Sequence, residues 1–454
     1  PPVDEVREEA SRVIPAQWHC HFSVGSKRNG DVIPMEQESH VSEYRTVLSV
    51  VTLALAATVL LIRIPEFLYR LFDPDEFEHL HAAFCTNQGM VPYRDFFEHH
   101  TPLFWIFLQP LYLLLDDPLR VLFAGRIFMF FVMVGIAFLT YQFSSLLYGR
   151  YVGALSVLLL ICTEMSVQKS MEIRPDGLET CFWLLSLWMG VRAIRSERGF
   201  VYFWFGICAG ISILFSQKVI PGVAGVFFAL LLLRMKSQKN CVATAIHRIA
   251  FFLLGVLLPL ILTAFFFLLF GAFGEFIHRC FLFNAVWEIR ISPLPVCLEF
   301  VRQNSIVFAL GFVGILYFLR NCREAPENAI LLGSLAGVCS GFFLIPIVQR
   351  QYLMLLFPLW AILGAKWLTD RILCREKKPP RIYDFLFAIL LGISLAIASA
   401  ENSWQIGDDP FLYLIFAGVC ALSVLFLRRR EVLIVLVAVV ISDRKSTRLN
   451  SSHT

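Results

Sequence analysis

The feature that most constrains this chain is a series of long apolar runs separated by short charged segments. Runs of roughly twenty residues lie near 46–64, 120–146, 151–168, 177–194, 200–216, 219–234, 249–270, 304–320, 329–347, 351–368, 384–400 and 410–427, and another begins near 431. About 20 apolar residues in a helix cross the hydrocarbon of a bilayer. Lipid offers the backbone no hydrogen-bond partner, so a crossing segment must satisfy its own amides. Each run therefore predicts a transmembrane helix. Composition agrees, with 57% of the 454 residues hydrophobic and 16% charged, against about 25% charged in soluble domains. The predicted fold class is an all-α polytopic membrane protein with about 12–13 transmembrane helices. The stretch 102–115 is shorter, contains Pro102 and Pro110, and reads as interfacial or re-entrant.

Basic residues set the predicted orientation, because Lys and Arg stay on the cytoplasmic side. Alternate loops carry Arg150; Arg192, Arg195 and Arg198; Arg234, Lys236, Lys239 and Arg248; Arg320 and Arg323; Lys366 to Arg381; and Arg428 to Arg430. The opposite set, 65–101, 169–176, 271–303 and 401–409, is poorer in basic residues and holds the acidic clusters. The N-terminus is then cytoplasmic and the loop 65–101 faces out. The twelve cysteines are scattered, without a CxxC pair or a zinc-type Cys/His spacing, and read as small apolar residues. No charge block or basic aromatic stripe points to nucleic acid. Internal repeats and a Gly-rich phosphate loop are also missing.

Two ends are set apart. Residues 1–34 are polar and unpatterned, and Met35 precedes the first apolar run, so native translation is expected to start at Met35. An N-terminal peptide from natively expressed protein mapping upstream of Met35 would overturn that. Residues 443–454 resemble the translation of a sequencing-library adapter and follow an apolar run that stops at Ser442. The transmembrane domain is accordingly placed at 35–442, truncated at its C-terminus, with the first outer loop at 65–101.

That loop combines ionisable groups with aromatics. It reads Asp73-Pro74-Asp75-Glu76-Phe77-Glu78-His79-Leu80-His81, and later Val91-Pro92-Tyr93-Arg94-Asp95-Phe96-Phe97-Glu98-His99-His100-Thr101-Pro102-Leu103. Asp73 is a good N-cap, Pro74 suits the first helical position, and Glu76 closes a capping box. A short amphipathic helix is predicted over about 74–88, with Asp75 and His79 four apart on one face. The plain reading of Asp75 and Glu76 is electrostatic support of a helix N-terminus. The other reading is a positioned carboxylate that takes a proton from a hydroxyl.

These residues carry a resemblance. An acidic pair, a Gly-x-x-Pro-Tyr-x-Asp turn from Gly89, and an acidic-His-x-x-Pro-Leu entry into an apolar helix resemble the first periplasmic loop of the GT-C glycosyltransferase superfamily. The likeness is to its bacterial branch, related to the lipid A aminoarabinose transferase and the dolichyl-phosphate-mannose protein mannosyltransferases, and it covers about 46–370 in layout. The resemblance implies a GT-C fold with amphipathic juxtamembrane helices in this loop. It also implies an inverting transferase, hexosyl or pentosyl, that moves a sugar from a polyprenyl-phosphate donor to a lipid, glycan or protein acceptor. Work on the periplasmic face of a bacterial inner membrane follows. Asp75 matches the family's general base, with Glu76 second.

Further site residues fall on the same predicted side. Arg174 and Asp176, in Glu172-Ile173-Arg174-Pro175-Asp176, suit phosphate and acceptor respectively. Lys218 lies between two apolar runs against the charge pattern, which marks a functional position. Arg350 and Tyr352 open the run at 351 and resemble a donor-binding segment. Arg94, Asp95, Glu98 and His99 complete the expected substrate set, and His79, Glu98 and His100 are candidate ligands for a divalent metal. Structural roles stand beside each of these: helix capping, snorkelling and interfacial anchoring. The alternative function is a transporter or flippase of lipid-linked sugars. Such proteins usually carry inverted repeats, which this sequence does not show.

Overall fold

The computed structural model describes residues 35–65, 70–236, 242–283, 292–321, 325–344, 348–373 and Phe387. The expected spans at 384–400, 410–427 and 431 onward, and the two set-apart ends, lie outside the described residues. Contacts divide the chain into a unit 1–45, of which 35–45 are described as helix, and a unit 46–454, which holds everything discussed below.

The regular elements are all helices, and no strand forms among the described residues. Helices α1 (Met35–Ile62), α2 (Pro74–Asn87), α3 (Leu103–Leu114), α4 (Pro118–Tyr148), α5 (Arg150–Ile161), α6 (Glu164–Ser170) and α7 (Pro175–Ser196) come first. Then follow α8 (Gly199–Phe215), α9 (Ile220–Lys236), α10 (Val242–Leu269) and α11 (Phe273–Ile277). The last are α12 (Leu294–Gln303), α13 (Ser305–Asn321), α14 (Asn328–Leu344) and α15 (Phe357–Leu373). All ten apolar runs within the described residues are helices, so this is an all-α, multi-pass membrane protein. Residues 118–148 and 246–269 are each long and apolar enough to cross a bilayer alone.

The structure breaks one run that the sequence read as continuous, and sets a helix of the outer loop 271–303 at a sharp angle to the span that follows it. The run at 151–168 bends by 72° where α5 gives way to α6, and α12 meets α13 at 111°. Apolarity fixes burial in lipid but not the angle at which one helix follows another. The bend after α5 matters for the site, because α6 then leads to Glu172 and Arg174 at the start of α7.

Without a hydrophobic drive between helices in lipid, close packing depends on small residues. Gly206 and Gly210 on α8 lie against the backbone of α10, where Gly255 in turn meets the backbone of α8. Gly225 on α9 meets Gly333 and Gly337 on α14, and Gly314 on α13 meets the backbone of α15. The opposite face of α10 leaves Leu254, Leu258, Leu262, Phe265 and Leu269 exposed, as a lipid-facing helix should.

The two predicted sets of loops separate as the charge pattern requires. Arg195 binds Glu327 at 2.9 Å and the carbonyl of Leu146, and Arg248 binds Glu197 at 2.9 Å. Tyr148 meets Asn328 near them. The acidic groups of 65–101 and 169–176 gather together at the other ends of the helices.

Candidate active site

The site begins with the start of α2. Asp73 is extended, accepts a hydrogen bond from the Asp75 amide at 3.0 Å, and donates its own amide to Glu76 Oε2 at 3.0 Å. The capping box read from the sequence is thus present. Glu76 does more than cap. Its carboxylate receives Arg126 of α4 through Nε at 3.2 Å and Nη2 at 2.7 Å, and Arg70 at 3.1 Å, with both Glu76 and Arg126 side chains 0% exposed. Arg126 also donates to the carbonyls of Arg70 and Leu71 and stacks over Phe72. The carboxylate is consumed by this network. Asp75, its neighbour, projects the other way with its side chain 38% exposed.

Arg174, the residue before α7, is the hub. Its guanidinium pairs with Asp75, stands 3.5 Å from Asp176, and reaches Asp73 at 3.7 Å and Glu172 at 3.8 Å. Asp176 is buried and binds Lys218 Nζ at 2.6 Å. Lys218 rides on a 3-10 turn, Gln217–Val219, between α8 and α9, and its ammonium lies 4.4 Å from the Tyr352 ring centroid. Five residues singled out in the sequence, Asp75, Arg174, Asp176, Lys218 and Tyr352, therefore form one connected string. Arg350 lies apart from it, 48% exposed and bound to Glu299 at 2.6 Å.

The second arm of the loop forms a tight turn. Tyr93 takes a left-handed φ of 70°, unusual for a residue with a Cβ. It is held there by burial against Trp105, Phe267 and Phe276, and by its hydroxyl, which donates to the His100 carbonyl at 2.6 Å. Arg94 and Asp95 pair with each other at 2.7 Å; Asp95 also accepts from the Val91 amide, and Arg94 donates to the Phe270 carbonyl at 2.7 Å. Arg94's hydrogen bonds hold the Asp95 carboxyl down at about 2. These two residues lock the turn and its seat on α10.

The turn delivers Glu98, His99 and His100 to Glu78 on α2. Their ligand atoms lie within 4.8 Å of one another. His100 Nδ1 is 2.8 Å from Glu98, and Glu78 is 3.7 Å from His100 and 3.9 Å from His99. Burial, with Glu98 and Asp75 adding like charge, lifts Glu78 to about 7. Burial also raises Glu98, and depresses His99 to about 4 and His100 to about 3. Two carboxylates and two neutral imidazoles are a donor set suited to a divalent ion such as zinc or manganese.

The group that comes together differs from the expected metal set at two positions. His79 does not join the group; its ring is buried edge-on against His100 and Phe104, with Nδ1 lacking a hydrogen-bond partner. Glu78 takes that place, and His99 belongs to the cluster although it adjoins His100. Sequence reasoning also missed Arg126, whose signal is a lone arginine in an apolar run, and Glu172, which binds Lys169 at 2.7 Å and Arg70 at 3.2 Å.

The family of dolichyl-phosphate-mannose-protein mannosyltransferases matches residues 99–266. Among solved structures, ArnT from Cupriavidus metallidurans bound to undecaprenyl phosphate is similar with a TM-score of 0.56 at 14% identity, over 83% of this chain and 70% of that one. That likeness is one of fold. The apo oligosaccharyltransferase of Archaeoglobus fulgidus, another structural match, has a TM-score of 0.49 at 13% identity, over 83% of this chain. The chain spans little more than half, 56%, of that enzyme's length. A comparison with curated proteins gives no match.

Proposed function

We propose that this protein is an integral membrane glycosyltransferase. It moves a sugar from a polyprenyl-phosphate-linked donor to a lipid, glycan or protein acceptor on the outer face of a bacterial inner membrane, with inversion. The observation that carries this reading is the string Asp75–Arg174–Asp176–Lys218: an accessible carboxylate linked through a guanidinium to a buried one, which in turn holds an ammonium. The similar ArnT structure holds undecaprenyl phosphate, a ligand whose head group suits those cations.

The chemistry follows from the charges. An acceptor hydroxyl is a poor nucleophile until a positioned carboxylate takes its proton. Asp75 accepts that proton as the hydroxyl oxygen bonds to the sugar's anomeric carbon. The bond from that carbon to the phosphate oxygen breaks, and its electron pair leaves with the phosphate. Arg174 and Lys218 stabilise the charge that develops there. For this, Arg174 turns from Asp75 to the phosphate, which frees the carboxylate for the hydroxyl. Asp176 holds both cations in place. Glu78, Glu98, His99 and His100 would hold a divalent ion, which when bound would neutralise further phosphate charge.

Replacing Asp75 by Asn keeps the size and much of the polarity of the side chain. Transfer assayed with a radiolabelled polyprenyl-phosphate sugar in proteoliposomes should fall at least about a thousandfold, with membrane insertion and melting temperature unchanged. Full activity in Asp75→Asn removes Asp75 as the base. The same assay separates transfer from flipping, since only transfer yields a covalently modified acceptor.

A further inference from the structure

The two bent helix pairs of this fold meet at their breaks, and one side chain joins them. Helix α6 is seven residues long, too short to hold itself together, and its first amides need acceptors from outside the helix. The residue before it does not supply one. Thr163 stands at the N-cap position with an extended backbone, but its hydroxyl donates back to the Leu159 carbonyl at 2.9 Å. The acceptor comes from the other break, where Asn304 Oδ1 takes the Glu164 amide at 2.6 Å. Asn304 is 4% exposed and is the residue at which α12 turns by 111° into α13. Its own amide and its Nδ2 both donate to the Phe300 carbonyl, at 3.0 and 3.3 Å, which leaves Oδ1 for α6. Helix α12 is moored in turn by the ion pair of Glu299 with Arg350.

Helix α6 is what carries the chain to Arg174. Its first turn is also held by the Glu164 carboxylate on Arg63, just past α1. Its last turn is held by Arg70, which donates to the Gln168 carbonyl and to Glu172 Oε1, each at 3.2 Å. Glu172 stands 3.8 Å from the Arg174 guanidinium, and the Ile173 amide meets Glu76 at 3.4 Å. We propose that Asn304 is a positioning residue for Arg174. By capping α6 from the end of the outer segment 271–303, it sets where that helix begins, and so where the guanidinium stands to meet a phosphate. This rests on the reading of Arg174 as a phosphate-binding residue.

The test is a double-mutant cycle on binding, with no turnover required. Undecaprenyl phosphate is titrated into the purified protein in detergent and followed by intrinsic tryptophan fluorescence. Asn304→Leu removes the cap and should weaken binding about fivefold. Asn304→Asp keeps an acceptor at the same reach and should stay within about twofold of wild type. Arg174→Gln alone should weaken binding about tenfold or more, and in that background Asn304→Leu should add less than about twofold. Equal weakening by Asn304→Leu in both backgrounds, unchanged affinity in that variant, or no recovery in Asn304→Asp overturns the proposal. Should Asn304→Leu fail to fold, as its melting curve would reveal, Asn304→Ala takes its place in the cycle. Wild-type protein that does not bind undecaprenyl phosphate, or binding indifferent to Arg174→Gln, overturns the phosphate reading of Arg174 and this inference with it.

Discussion

Asp75 and Glu76 are adjacent carboxylates on the first turn of one helix, and their surroundings give them opposite tasks. Asp75 meets solvent and a single guanidinium, whereas Glu76 is enclosed by Arg126, Arg70 and the cap of α2. A buried pair broken from one side leaves an unmatched charge, at about 3–5 kcal/mol. Glu76→Gln should therefore lower the unfolding free energy by about that amount in detergent melts, and Asp75→Asn should leave it unchanged. Equal melting of the two variants would contradict the division of labour. The cap was legible in the sequence because Asp73, Pro74 and Glu76 are local. The arginine was not, because Arg126 arrives from another helix and nothing near Glu76 announces it. Asp75 could be picked out only by its resemblance to a known motif; the physical reason, its exposure beside a buried twin, needs the fold.

At the scale of elements, the candidate metal cluster joins two pieces of chain that share no backbone hydrogen bonds in the site. Glu78 comes from α2, and Glu98, His99 and His100 from the turn that follows Tyr93. An ion held by both would tie them, and binding to the folded form alone stabilises it by about 2.7 kcal/mol at a hundredfold excess over Kd. Zinc or manganese added to metal-stripped protein should raise its melting temperature, and Glu98→Ala should abolish the rise. A rise that persists in Glu98→Ala would place the ion elsewhere. The sequence supplied the histidines but chose His79 over Glu78. Helical spacing puts both near His100, and only the packing of His79 against Phe104 decides that its ring faces the interior. The bend after α5 was illegible for a similar reason: apolar composition records the solvent, not the direction.

For the whole molecule, the apolar runs and the alternation of charge were legible together, because the bilayer imposes both. Arg195, Arg248 and Glu327 gather at one end of the helices and the Asp75 string at the other. The proposed orientation predicts that an impermeant maleimide labels Arg94→Cys in intact cells, and Arg195→Cys only after permeabilisation, in a background without reactive native thiols. The reverse pattern would invert the orientation. The left-handed Tyr93 has a consequence for how such a chain matures. Its backbone angle is sustained by a ring docked on Phe267 and Phe276, and Phe267 is made 174 residues later. The loop emerges early in synthesis but cannot settle until α10 and α11 are inserted beside it. During translation the nascent protein would carry its acidic helix while the histidine turn stayed unset, and competence would arrive in one late step.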